Sequence, residues 1–156
     1  MHGDHMIFYF PLDSSTIGVL SGDDTANDSH FMRGVTTFLD YLLCVGCSTG
    51  NILIFNCKDR ESSNFNVIHT IDTLDKTPIS SLTSNASNLI CGNDSGKIVG
   101  YSCSMTGSSN VIFEKIFSFL GYGSPCTSLI CTEYLFCASY ATGHLRIFRF
   151  DVKEMV

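Results

Sequence analysis

The sequence predicts an all-β fold of repeated four-stranded antiparallel sheets, and three observations carry the prediction. The first is a stretch that occurs three times: Cys47-Ser48-Thr49-Gly50-Asn51-Ile52-Leu53-Ile54-Phe55, Asn93-Asp94-Ser95-Gly96-Lys97-Ile98-Val99-Gly100-Tyr101 and Tyr140-Ala141-Thr142-Gly143-His144-Leu145-Arg146-Ile147-Phe148. The second is its spacing: the turn glycines fall at 50, 96 and 143, at intervals of 46 and 47 residues. The third is periodicity. After each glycine and one free position, apolar residues alternate as in a strand and end in an aromatic, and no helical pattern occurs along the chain. A small polar residue followed by glycine is hairpin-turn chemistry, because glycine takes positive φ without a Cβ penalty. A fixed repeat of this length is the mark of a β-propeller blade.

The elements follow in order. Met6 to Leu12 reads as a strand stopped by Pro11, with no hairpin partner before it. Residues 21–29 are rich in Gly, Asp, Asn and Ser and read as an exposed loop. Phe31 to Phe38 is a mixed strand with Val35 and Phe38 inward. Tyr41 to Gly46 is an apolar strand of the buried kind, and Ile52 to Cys57 follows the repeated turn. Lys58 to Asn64 is a polar loop, and Phe65 to Asp72 is an outer strand. The second set runs through Thr77 to Leu82, Asn88 to Gly92 and Ile98 to Cys103, a Gly/Ser-rich turn over Ser104 to Asn110, and a closing strand from Val111 to Leu120. Ser124-Pro125-Cys126 opens the third set at an offset of 47 from Thr77-Pro78-Ile79, and strands at Tyr134 to Ser139 and His144 to Phe150 continue it. The reading is twelve strands in one domain, 1–156, with repeats over about 6–58, 65–104 and 111–151. Three such blades form an open arc. An open arc exposes the apolar faces of its end sheets and an unpaired edge on the third, which predicts a fragment of a larger propeller, and self-association of the chain alone.

Composition narrows the function classes. Charged residues are 15% of the chain against roughly 25% in a typical soluble domain, as expected for strands buried on both faces. The net charge of −6 argues against a nucleic-acid ligand. No apolar run is long enough to span a membrane as a helix. The first residues lack the pattern of a secretory signal, so the expected location is cytoplasmic or nuclear.

Six of the eight cysteines (Cys44, Cys57, Cys91, Cys103, Cys131 and Cys137) sit in or beside apolar strand patterns and read as reduced, small core residues. Cys44-Val45-Gly46-Cys47 has CxxC spacing, but no second pair follows, so no metal site is expected. Asn27, Asn85 and Asn93 begin Asn-X-Ser sequons, silent without secretion.

Catalytic motifs are absent: no GxSxG, P-loop or HExxH occurs. Ser48, Ser95 and Thr142 flank turn glycines, and turn chemistry explains them better than nucleophilic chemistry does. Thr49, Gly50, Asp94, Ser95, Gly96, Thr142 and Gly143 are therefore assigned to structural turns, with Asp94 and Asp40 as caps. His69 is expected half-exposed on an outer strand, and His144 exposed beside its turn. No catalytic residue and no cofactor is predicted. Loops on a rigid scaffold host recognition, so the candidate partner-binding residues are Thr73, Leu74, Asp75, Lys76, Asn93, Gly121, Tyr122 and Gly123.

The strand, the Ser/Thr/Asp-x-Gly turn and the strand ending in an aromatic resemble the WD-repeat β-propellers over roughly residues 6–150. The family's Trp-Asp pair is replaced by Phe55-Asn56, Tyr101-Ser102 and Phe148-Arg149, and its Gly-His pair is missing. The hydrogen-bond network those residues carry must give way here to apolar packing. A propeller of that family usually has seven blades, so this chain corresponds to less than half of one. The resemblance implies a non-enzymatic scaffold for protein partners. The alternative is a fragment of a secreted propeller hydrolase or lectin that uses the sequons.

Overall fold

The computed structural model describes residues 32–58, 67–73, 75–106, 110–121 and 123–150, with the backbone alone at Met32 and Arg33. Eleven strands and no helix occur among them: β1 (Met32–Phe38), β2 (Leu42–Cys47), β3 (Asn51–Asn56), β4 (Val67–Asp72), β5 (Ile79–Ser84), β6 (Asn88–Asn93), β7 (Ile98–Thr106), β8 (Asn110–Phe119), β9 (Cys126–Cys131), β10 (Leu135–Tyr140) and β11 (Leu145–Arg149). They form three antiparallel sheets, β1-β2-β3-β4, β5-β6-β7-β8 and β9-β10-β11, each a plain meander. The sheets stack as an open arc in chain order, β1 against β5 and β5 against β9. The expected strand Met6 to Leu12, the loop 21–29 and most of Lys58 to Asn64 lie outside the described residues.

Stacking explains why glycine sits at the same place in the first two sheets. A Cβ on Gly46 would lie 2.8 Å from Cβ of Ile79, the first residue of the second sheet. A Cβ on Gly92 would lie 2.5 Å from Sγ of Cys126, the first residue of the third sheet. In both cases the next sheet inserts a side chain where a Cβ would be. Hydroxyl and amide groups add cross-ties. Ser84 Oγ donates to the Thr37 carbonyl (2.5 Å), Ser80 Oγ to that of Cys126 (2.6 Å), and Asn85 Nδ2 to that of Thr132 (3.2 Å).

Apolar packing fills the space between sheets. Phe38, Leu42, Cys44, Ile52 and Ile54 of the first sheet meet Ile79, Leu82, Leu89, Cys91, Val99 and Tyr101 of the second. Ile90 and Ile98 meet Cys126, Leu129, Phe136, Ala138 and Tyr140 of the third. The second interface is aromatic: Phe136 stacks on Phe117 (5.4 Å between centroids) and on Phe148 (4.5 Å), and Phe119 stacks on Phe148 (4.7 Å). Gly100 makes room for this, because a Cβ there would collide with the Phe117 ring.

Two expectations need correction. Val35 is not inward: it is 59% exposed, while Phe38 is buried. Residues an odd number apart lie on opposite faces of a strand, so one register cannot bury both. The turn placed over Ser104 to Asn110 is shorter, because β7 runs on to Thr106, pairing Met105 with Val111 and Thr106 with Asn110. The outward face of the first sheet is mixed, since Val35 stands opposite Val45 and is exposed there. Val45 and Phe55 are buried there, with Leu43, Leu53, Cys57 and Val67 packed against them. The third sheet does match the expectation. Among the described residues it has three strands, and Ile130, Leu145 and Ile147 are more than half exposed.

Two substitutions test this packing. Gly92→Ala forces overpacking against Cys126 and is expected to destabilise by about 1–3 kcal/mol. Phe136→Ala removes the centre of the aromatic stack and should cost about 3–5 kcal/mol. Chemical denaturation measures both, and a neutral Gly92→Ala would refute the seat described here.

Candidate interaction surface

The repeated turns and the links between sheets meet at one end of the arc, and backbone contacts hold them there. The turn glycines adopt φ of 83°, 80° and 82° at positions 50, 96 and 143. Gly50 lies against the link from β4 to β5, where a Cβ would be 2.8 Å from Cα of Lys76 and 3.1 Å from N of Thr77. Gly96 lies in the same way against Gly121 and the Ser124 carbonyl on the link from β8 to β9. The prolines complete the joint. The Asp94 amide donates to the Pro78 carbonyl (3.0 Å) and the Ala141 amide to the Pro125 carbonyl (2.9 Å). This accounts for the recurrence of Thr-Pro and Ser-Pro at an offset of 47. The first residue of the turn needs an acceptor from the link, and proline offers a carbonyl on a chain with fixed φ.

The second turn carries a polar network. Asn93 is 4% exposed. Its Oδ1 accepts from Ser95 N (3.1 Å), Ser95 Oγ (2.7 Å) and Lys97 N (2.9 Å). Its Nδ2 donates to Asp75 Oδ2 (3.2 Å), which also takes Lys97 Nζ at 3.2 Å. Asp75 Oδ1 accepts from Thr77 N (3.0 Å), and Thr73 Oγ1 donates to the Gly50 carbonyl (2.6 Å).

The structure thus brings Thr73, Asp75, Lys76, Asn93, Gly121 and Gly123 to one end. Leu74 and Tyr122 lie outside the described residues. Thr73, Asp75 and Asn93 have hydrogen bonds that join the links to the turns. Asp75, Lys76, Ser95, Gly123 and Pro125 are exposed there. Sequence reasoning assigned caps to Asp94 and Asp40. The geometry adds Asn93, Asp75, Asn85 (accepting from Ser87 N and Asn88 N) and Asn56 (accepting from Lys58 N). An Asx residue just before a turn was the available signal. Asp40 itself stands at φ 61° in the turn between β1 and β2.

The titratable groups are arranged for packing. All eight cysteines are free. Burial pushes the thiols of Cys44 and Cys91 up to about 12, and those of Cys126 and Cys131 up to about 11. A nucleophilic or metal-bound cysteine needs the opposite shift. Among the described residues no group of three or more His, Cys, Asp and Glu is placed to hold a metal ion. Thr142 Oγ1 lies 2.9 Å from His144 Nδ1, in an exposed turn rather than a cleft. His69 is half-buried on the outer strand β4, its ring 5.7 Å from that of Phe113. Two sequon amides are engaged, Asn85 with Thr132 and Asn93 with Asp75, whereas Asn27 lies outside the described residues.

Comparison with known proteins fits this geometry. The profile of the WD40 repeated domain matches residues 19–151. No protein of curated function matches the chain. Among solved structures, the β-propeller domain of Myceliophteria thermophila Cps50 (Swd1) superposes with a TM-score of 0.61 at 14% identity, over 77% of this chain and 40% of that one. Chaetomium thermophilum Raptor gives 0.60 at 13% identity, over 81% and 12%. A chain of the Mitotic Checkpoint Complex gives 0.63 at 18% identity, over 84% and 37%. These likenesses establish the fold, and this chain spans less than half the length of each of the three.

The buried Asn93 amide predicts that Asn93→Ala costs about 1–3 kcal/mol in chemical denaturation. Lys97→Ala removes a half-exposed ion pair and should cost less than about 1 kcal/mol.

The thiols predict a pH dependence. A thiol of ordinary value 9.0 raised to about 12 stays protonated in the folded chain, while the unfolded chain ionises. Stability is therefore complete below about pH 9 and falls as pH rises from there towards 12. Melting temperatures across that range check the sign, and a flat profile would contradict the burial of Cys44 and Cys91.

Proposed function

Because the chain belongs to the WD40 repeat family, we propose that it is a non-enzymatic protein–protein interaction module that binds partners at the loop end of its sheets. One observation carries this reading. The links and turns of three sheets are locked together there by backbone contacts, which leaves side chains such as Lys76 and Ser95 exposed on a fixed frame. Recognition uses such loops because the strands are consumed by packing. The solved structures that share the fold include a chain of a multiprotein complex, the Mitotic Checkpoint Complex, which supports protein as the ligand class. The eight free thiols support a reducing compartment, the cytoplasm or nucleus. The wording of Leu43 to Gly46 with Gly50 to Phe55, of Thr77-Pro78-Ile79, of Asp94-Ser95-Gly96 and of Gly121 to Cys126 further supports kinship with WD repeat-containing protein 54.

The test is capture of partners by the full-length protein, followed by substitution at the loop end. Lys76→Glu should weaken capture of the same partner without lowering the melting temperature. If only changes on the outer strand, such as Thr70→Arg, weaken it, the rim of the blades is the interface and the loop-end reading fails.

A further inference from the structure

We propose that Lys76 is the specificity-determining residue of the loop end, and that it takes a carboxylate side chain, aspartate or glutamate, of a partner protein. The proposal rests on the loop-end reading above and names the chemistry of the partner.

The repeat supplies an internal comparison. The two links between sheets are equivalent at an offset of 47, so Thr77-Pro78-Ile79 matches Ser124-Pro125-Cys126 and Lys76 matches Gly123. Both matched residues stand in the left-handed region, with φ of 51° at Lys76 and 69° at Gly123. The joint imposes that conformation. Each link passes close against a turn glycine, Gly50 or Gly96, and then presents a proline carbonyl to the following turn. Glycine meets this demand without strain. Lysine meets it with its Cβ crowded against the backbone. The first link therefore carries a side chain at a place where the backbone is better served by none. Residues held in sparsely populated backbone regions gather at functional sites.

The side chain of Lys76 does nothing for the fold that offsets this strain. Lys76 is exposed. A Cβ built on the matching Gly123 meets no atom within 4 Å, so a side chain at this place in the link projects away from the sheets. The ion pair of this end belongs to Lys97, and Lys76 has none among the described residues. Its neighbour Asp75 is committed elsewhere: Oδ2 accepts from Asn93 Nδ2 and Lys97 Nζ, both at 3.2 Å, and Oδ1 from Thr77 N at 3.0 Å. These bonds also pin the residues on either side of Lys76. The base of the side chain is held while its ammonium is free, and a pre-placed group loses less freedom on binding.

The surroundings limit the charge that this ammonium can take. Asp72 and Asp94 stand at the same end and are engaged in interactions of their own. With Asp75 they make three carboxylates beside two ammonium groups, those of Lys76 and Lys97. A doubly charged phosphate would meet that acidic background with one point charge and no guanidinium fork to hold it. A carboxylate carries a single charge and is matched by the one ammonium.

Selection of random peptides displayed on phage against the full-length protein tests this. The retained peptides should share an aspartate or glutamate at one position, and selection against Lys76→Glu should turn that position to lysine or arginine. Binding of the best acidic peptide should fall roughly tenfold in Lys76→Met, which keeps the length and loses the charge, and should survive in Lys76→Arg. Lys76→Gly separates strain from recognition. It should melt at a higher temperature than the parent and bind the peptide as poorly as Lys76→Met, a split that a merely structural lysine would not produce. Four results would each overturn the proposal: peptides with no shared acidic residue, acidic peptides that bind Lys76→Met as well as the parent, a Lys76→Gly variant no more stable than the parent, or no peptide that depends on Lys76. Neutral or basic peptides that Lys76→Glu still releases would leave the loop-end reading standing, whereas peptides released only by Thr70→Arg would remove both.

Discussion

Everything in this molecule depends on how closely one sheet can approach the next. Gly46 and Gly92 set that distance, because each is the site where the following sheet inserts the side chain of Ile79 or Cys126. Once those residues are seated, the first strands of neighbouring sheets lie together and the cross-ties from Ser80, Ser84 and Asn85 come within hydrogen-bond reach. The repeat length follows. A sheet of four strands, a link and a return to the same seat must consume a constant number of residues. The turn glycines hold the other end of the same joint, since Gly50 and Gly96 face the links that lead to those seats.

The Trp-Asp pair of the family is absent, and two other devices stand in its place. Between the second and third sheets, Phe117, Phe119, Phe136, Phe148 and Phe150 form a connected aromatic cluster. Stacked pairs contribute about 0.5–1.5 kcal/mol each beyond area burial, and they carry no buried polar groups to satisfy. Between the first and second sheets the device is polar and sits at the loop end, where Asn93 and Asp75 knit turn to link. The two interfaces thus hold the same geometry by different chemistry.

Much of this was legible in the sequence, and the reason is locality. Strands and turns are set within a few residues by alternation and by glycine φ, so the three hairpins at Gly50, Gly96 and Gly143 could be read directly. Burial was less legible, because it depends on which face a neighbouring sheet covers. Val35 and Phe38 are both apolar residues on one strand, yet only Phe38 faces the second sheet. Asn93 was read as a partner-binding residue because it borders a loop. Its engagement rests on Asp75, 18 residues away, and on a link whose path only the stacked sheets define. The glycine seats were silent for the same reason. Gly46 and Gly92 look like weak points in a strand until the side chain of the next sheet is placed over them.

The cysteines complete the argument about space. Cys126 enters the seat at Gly92, where the equivalent Ile79 enters the seat at Gly46. The third sheet brings a Phe-rich leading face to that interface, and a smaller seat residue leaves room for Phe136 beneath it. Cys44 and Cys91 fill equally narrow positions between sheets. A thiol is close in size to a small aliphatic group and needs no hydrogen-bond partner when neutral. The burial that makes these residues good fillers also raises their pKa values, to about 12 for Cys44 and Cys91. They are therefore almost entirely protonated and poorly nucleophilic at neutral pH. The buried thiols of Cys44, Cys91 and Cys126 are thus a solution to close sheet packing, and the chemistry available to partners lies with the exposed side chains of the loops.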